Sequence, residues 1–162
     1  MDTPVTFRHL DTPDDWTRAF DVMKELRPHL IDANAFCTQM RRQREESYRL
    51  LAACDGGGDG NGDGDDAILG LAGYRTQTNT LYGRFVYVDD LVVTARLQRG
   101  GIGAQLLDRV REIARHSRCA HFVLDTGLHM ALAQRFYYRN GLLAKGMHFV
   151  EPLGGNRTEA AR

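Results

Sequence analysis

Three glycines within Gln98-Arg99-Gly100-Gly101-Ile102-Gly103-Ala104 separate an apolar, acid-bearing run, Phe85 to Thr94, from a periodic segment, Ala104 to His116. A strand that enters a helix through such a loop brings backbone N–H groups together at the positive end of the helix macrodipole, which makes an anion site. A pyrophosphate suits that site. Three glycine-loop chemistries and a plain turn compete for it. A nucleotide P-loop needs Lys and Ser or Thr after its last glycine, where Ala104 and Gln105 stand. A dinucleotide fingerprint needs a third glycine where Leu106 stands, and an acid on a following strand that is missing. A tight turn alone needs fewer glycines and no arginine.

Around the loop, the spacing predicts a strand over Val5 to Leu10, then a helix that Asp11 or Thr12 caps and Pro13 starts, with Trp16, Phe20, Met23 and Leu26 on one face. Pro28 ends it. Asp32 caps a second helix to about Glu46, and Ser47 to Cys54 and Ala67 to Thr76 form a hairpin. Phe85 to Thr94 is a fourth strand, Gly101 to His116 a helix and His121 to Thr126 a fifth strand. Met130 to Asn140 is helical and closed by Gly141, and Leu142 to Val150 is a last strand. The order predicts a single α/β domain with a mixed sheet, because hairpins supply antiparallel pairs and the strand-helix-strand crossover a parallel one. The domain is expected over residues 1–152, with a polar tail over 153–162.

Residues 55–66 hold five Asp and no Lys or Arg, so the neutral chain has a body of 16 acids against 21 bases. That excess suits a phosphate-bearing small ligand and is too scattered for nucleic acid. Asp59, Asn61, Asp63 and Gly64 match the first half of a calcium loop, but Gly70 stands where a bidentate Glu is needed, so a flexible hairpin connection is expected. No His/Cys spacing fits zinc, and no metal is expected. Cys37, Cys54 and Cys119 are odd in number and widely spaced, which reads as reduced thiols of a cytoplasmic protein. No apolar run approaches a membrane span, and no basic-then-apolar leader opens the chain.

The loop, with Gln98, Gly101 and Gly103 filling its signature, resembles the acetyl-coenzyme A loop of the GNAT superfamily of N-acetyltransferases. Tyr87-Val88-Asp89-Asp90-Leu91-Val92-Val93 resembles the family's central strand, and Ala133-Gln134-Arg135-Phe136-Tyr137 through Gly141 its second motif. The resemblance spans about residues 5–150 and implies a GNAT-like fold with a splayed cleft for acetyl-CoA as co-substrate. It assigns the stretch Leu91, Val92 and Val93 to the cofactor, with the backbones of Leu91 and Val93 bonding the pantetheine arm. Gln98 and the amides of Arg99, Gly100, Gly101, Ile102, Gly103 and Ala104 take the pyrophosphate, and Ala133 joins the cofactor contacts. Met130 stands where the family often has Asn, and would pack on the pantetheine.

The resemblance makes Tyr137 the general acid. A phenol near pKa 10 is able to protonate a thiolate whose conjugate acid is near about 8.5. Phe136 and Tyr138 crowd the same helix, so at least one of the three aromatics is core. Adjacent strand residues point to opposite faces, so one of Asp89 and Asp90 is expected to face inward, with a partner or a function. Such a pair also resembles polyamine and diamine acetyltransferases. Asp89 is then the candidate base for an amine of which only about 1 part in 2500 is unprotonated at pH 7. Asp90 is a substrate anchor or a salt-bridge partner, and the alternative has both acids paired with arginines. Asp125, His29 and His148 are further candidates for substrate contact.

The function implied is acetyl transfer to a primary amine, a small cationic one by preference. A peptide or protein amine, or a non-catalytic acyl-CoA-binding module, remains open. A homodimer is compatible with this fold type.

Overall fold

The computed structural model describes residues 4–56, 66–98 and 100–154. Most of the Asp/Gly stretch, Arg99 and the end of the polar tail therefore lie outside the described residues. The chain divides into two compact units, residues 1–124 and 125–162.

The first unit runs β1 (Val5–His9), α1 (Pro13–Leu26), α2 (Ala33–Glu45), β2 (Tyr48–Asp55), β3 (Ile68–Asn79), β4 (Gly83–Val93), a short 3-10 turn (Ala95–Leu97), α3 (Ile102–His116) and β5 (His121–Leu124). The strands form one sheet in sequence order. The first three pairings are antiparallel. β4 and β5 run parallel, as the crossover through α3 requires.

Local chemistry starts the first two helices where the sequence places them. Thr12 and Asp15 form a reciprocal capping box ahead of α1, with Pro13 in the first turn. Asp32 Oδ1 accepts from the Ala35 N–H at 2.8 Å to start α2. Helical periodicity buries Trp16, Ala19, Val22 and Met23 of α1 with Phe36, Cys37 and Met40 of α2 against one sheet face. The other face packs on α3 through Ile102, Leu106, Val110 and Ala114. Cys37 and Cys54 are buried, Cys119 half-buried, and all three are free.

In the second unit, α4 covers Ala131–Arg139, and Gly141 takes a positive φ of 82° just beyond it. Two expectations need correction. β5 stops at Leu124, two residues early, because its partner register ends at Val88↔Leu124. The last strand, Leu142 to Val150, does not form: among the described residues the segment pairs with no other strand, and Leu143, Met147, Phe149 and Val150 are exposed. A β-rich sequence supplies only the willingness to be a strand. A strand exists through ladder bonds to a neighbour, and no register pairs this segment.

Candidate active site

β4 carries one residue more than β3. Gly73 pairs with Asp90 and Tyr74 with Val88, so Asp89 is unmatched and forms a β-bulge. The bulge reverses the alternation of the strand. Before it, Val86 and Val88 belong to the α3-side core; after it, Val92 belongs to the α1–α2 core. It also corrects the expectation that the two acids face opposite ways. Asp89 bonds Arg75, and Asp90 bonds Tyr48 and Arg27, all from the α1–α2 side of the sheet.

Past the bulge β4 loses one neighbour. Its pairing with β5 covers Phe85 to Val88 only, whereas its pairing with β3 continues to Val93. The Thr94 N–H donates to the Leu69 carbonyl at 3.0 Å, so by the alternation of an antiparallel ladder Val92 also turns its backbone to β3. Leu91 and Val93 then turn theirs away from β3. The Gln98 amide approaches the Val93 carbonyl at 3.5 Å on that side. Val92, also expected among the cofactor contacts, buries its side chain in the α1–α2 core and pairs with Leu71 of β3.

The glycine loop follows directly. Glu25 of α1 accepts from the Ala95 N–H at 3.0 Å, which anchors the start of the 3-10 turn. The Gly100 N–H donates back to the Leu97 carbonyl at 3.0 Å. Gly101 is the N-cap of α3 in the left-handed region, φ 76°, with no side-chain cap. A β-carbon there is strained, so glycine is required by conformation. The carbonyl of Gly101 already serves Gln105, and the N–H groups of the first turn of a helix have no intrahelical carbonyl to bond. With the α3 dipole, such an end has the chemistry to take an anion. Arg99 lies outside the described residues.

The acids are held by arginines. Arg75 grips Asp89 with both forks, Nη2 to Oδ1 at 2.6 Å and Nε to Oδ2 at 2.9 Å. Burial still pushes the Asp89 carboxyl above its ordinary value, against the lowering pull of Arg75. Asp90, only 8% exposed, accepts from Tyr48 Oη at 2.7 Å and Arg27 Nε at 2.9 Å. Burial, then the Asp90 charge, push the Tyr48 phenol well above its ordinary value, so it remains a donor. Arg27, Tyr48, Gly73 and Arg75 escaped the sequence reading. Only a buried tyrosine's need for a polar partner could have pointed to one of them.

Of the other candidates in the first unit, His29 is exposed in the turn between α1 and α2. In the second unit Met130 is the N-cap of α4, and Ala133 and Tyr137 are half-buried on that helix. Burial, and after it the Asp125 charge, raise the Tyr137 phenol. Asp125 and His148, read separately from the sequence, form one pair at 2.9 Å. Among the described residues no helix is long and apolar enough to cross a membrane, and no three His, Cys, Asp or Glu gather as metal ligands.

Comparison with known proteins agrees with this fold. A Bacillus subtilis (strain 168) protein described as the uncharacterized N-acetyltransferase YhdJ is 28% identical over 134 residues, 82% of this chain and 87% of that one. Among solved structures, a Trypanosoma brucei acetyltransferase superposes with a TM-score of 0.72 at 18% identity, covering 93% of this chain and all of that one. AAC(6')-Iy, solved with the bisubstrate analog CoA-S-monomethyl-acetylneamine, gives 0.75 at 15% identity, covering 93% and 99%. Residues 14–142 match the acetyltransferase (GNAT) family. With four-fifths of its length inside that match, the open strand and glycine loop included, this chain belongs to the GNAT family of acetyltransferases, enzymes that use acetyl-CoA as co-substrate.

Proposed function

We propose that this protein transfers acetyl from acetyl-CoA to a primary amine by direct attack, with Tyr137 as general acid. The observation that carries the reading is the end of β4–β5 pairing at Val88, just before Leu91 and Val93 turn their backbones away from β3 and the chain enters α3. A strand-like arm fits the groups that β5 leaves free, and a pyrophosphate fits the first turn of α3. Acetyl-CoA supplies an activated thioester. The chain's own task is to orient it, polarise its carbonyl and return a proton to the departing sulfur.

The Val93 N–H is the group we assign to the carbonyl, and fixing that carbonyl on a rigid strand supplies much of the rate. Tyr137 is suited to the proton because its raised pKa keeps it protonated at neutral pH. Leu91, Gln98 and the described loop amides are the cofactor contacts we assign in the first unit, and Met130 and Ala133 keep the cofactor roles that the family resemblance gives them. His29, Asp125 and His148 remain assigned to the acceptor.

The acid pair takes a different role from the one its sequence suggested. Arg75 occupies both oxygens of Asp89, so although burial raises its pKa the carboxylate is not free to approach an amine, and we leave the base unassigned. Two arginines balance the two acids, so this network gives no electrostatic preference for a cationic acceptor. The amine is left open between a small molecule and a peptide.

The test is thiol release from acetyl-CoA against diamines, polyamines, amino acids, aminoglycosides and peptides, beside calorimetry with acetyl-CoA alone. Turnover with one class and a loss of about 10²-fold in kcat for Tyr137→Phe support the reading. Binding without turnover on any amine identifies an acyl-CoA-binding module, and undiminished turnover in Tyr137→Phe removes the general acid.

A further inference from the structure

The bulge at Asp89 sits at a decisive point, since it lies just past the last residue paired with β5, reverses the faces of β4 and sets the direction in which the backbones of residues 91–93 point. A bulge bends its strand and increases local twist, so its exact shape has to be held by something. Here three side chains from three elements hold it. Arg27, the C-cap of α1, donates through Nη2 to the Asp89 carbonyl at 2.9 Å and through Nε to Asp90 Oδ1 at 2.9 Å. Tyr48 at the start of β2 donates to Asp90 Oδ2 at 2.7 Å. Arg75 of β3 takes the Asp89 carboxylate. The unmatched residue of the bulge thus has both its backbone carbonyl and its side chain bound by guanidinium groups.

Resting on the acetyltransferase reading above, we propose that Tyr48 and Arg27 are positioning residues: through Asp90 and the Asp89 carbonyl they fix the bulge, and so the aim of the Leu91 and Val93 N–H groups at the thioester. Stability alone gives little reason for this arrangement, because well-packed apolar side chains commonly replace a buried ion pair at no loss. A fully satisfied polar network does restrict a backbone to one geometry. Catalysis is sensitive to that geometry, since a misplacement of about 1 Å can cost about 10²-fold in rate.

Tyr48→Phe tests this directly, because it keeps the ring and removes only the donor to Asp90. Measured with kcat, the acetyl-CoA dissociation constant from calorimetry and the melting temperature, the expected result is a fall in kcat of about tenfold or more. Acetyl-CoA affinity should fall by clearly less than kcat, because the loop that takes the pyrophosphate is untouched. Arg27→Gln, at a side chain 44% exposed, should show the same split and decides the matter if Tyr48→Phe does not fold. Unchanged kcat overturns the inference, as does a fall in kcat matched by an equal loss of acetyl-CoA binding or of folded protein. A wild-type protein that neither binds nor turns over acetyl-CoA overturns the acetyltransferase reading itself, and this inference with it.

Discussion

Gly73 lies diagonally across the β2–β3 pair from Tyr48, so close under its ring that a β-carbon on Gly73 would stand 2.8 Å from Tyr48 Cε2, and closer still to Cζ and Oη. The glycine is there for space, since its φ is not in the left-handed region. Gly73→Ala is therefore expected to push the Tyr48 ring off Asp90 and to destabilise the fold by about 1–3 kcal/mol, the range for overpacking a filled core. Urea unfolding of the variant beside the wild type measures it, and an unchanged midpoint would show that the ring moves aside freely.

His9 Nε2 lies 2.8 Å from Tyr74 Oη. Burial first, then the Arg49 charge, lower the His9 pKa below its ordinary 6.5 in spite of Asp11. A folded-state value below the unfolded one means that the unfolded chain binds more protons in the window between them. Stability then rises with pH there. The contribution is fully present above about pH 6.5 and is lost as pH falls through the folded value. Urea midpoints at several pH values should show that slope, and His9→Gln should flatten it.

Thr12 Oγ1 accepts from the Asp15 N–H at 3.2 Å while Asp15 Oδ2 accepts from the Thr12 N–H at 3.3 Å. Thr12→Ala removes half of this box and should cost about 1 kcal/mol, read as a lower melting temperature. Acetyl-CoA affinity should be unaffected, since the cap lies at the opposite end of α1 from Glu25 and Arg27.

Tyr137 as general acid carries a pH signature. The acid works while protonated, and burial followed by the Asp125 charge raises its pKa above the ordinary 10. The rate should therefore rise with pH as the amine loses its proton, with no falling limb up to about pH 9. A descending limb near neutrality in kcat against pH would assign the proton to a different group.

The helix starts were legible because they rest on local chemistry. Asp32 reads as a cap from its side chain alone, and Pro28 as a stop from its ring. The stripes of α1 and α3 follow from a period of 3.6, and the left-handed Gly101 from the absence of a β-carbon. The glycine loop and its candidate ligand were legible for the same reason, since an anion site built from backbone N–H groups needs only a strand, glycines and a helix.

The acids and the end of the chain were different. Asp89 and Asp90 are adjacent letters, and period 2 sends them to opposite faces. One unmatched residue in a register shared with β3 turns them to the same face and gives each an arginine. Leu142 to Val150 has the composition of a strand but no register within this structure. Sequence by itself determined where the chain turns, caps and can take a phosphate, because those are properties of a few consecutive residues. Only the tertiary structure decided which carboxylates are spent, which amides of β4 are left without a strand, and that Tyr48 stands over Gly73. Pairing partners come from distant parts of the chain, and a bulge is defined only by the neighbouring strand against which it is counted.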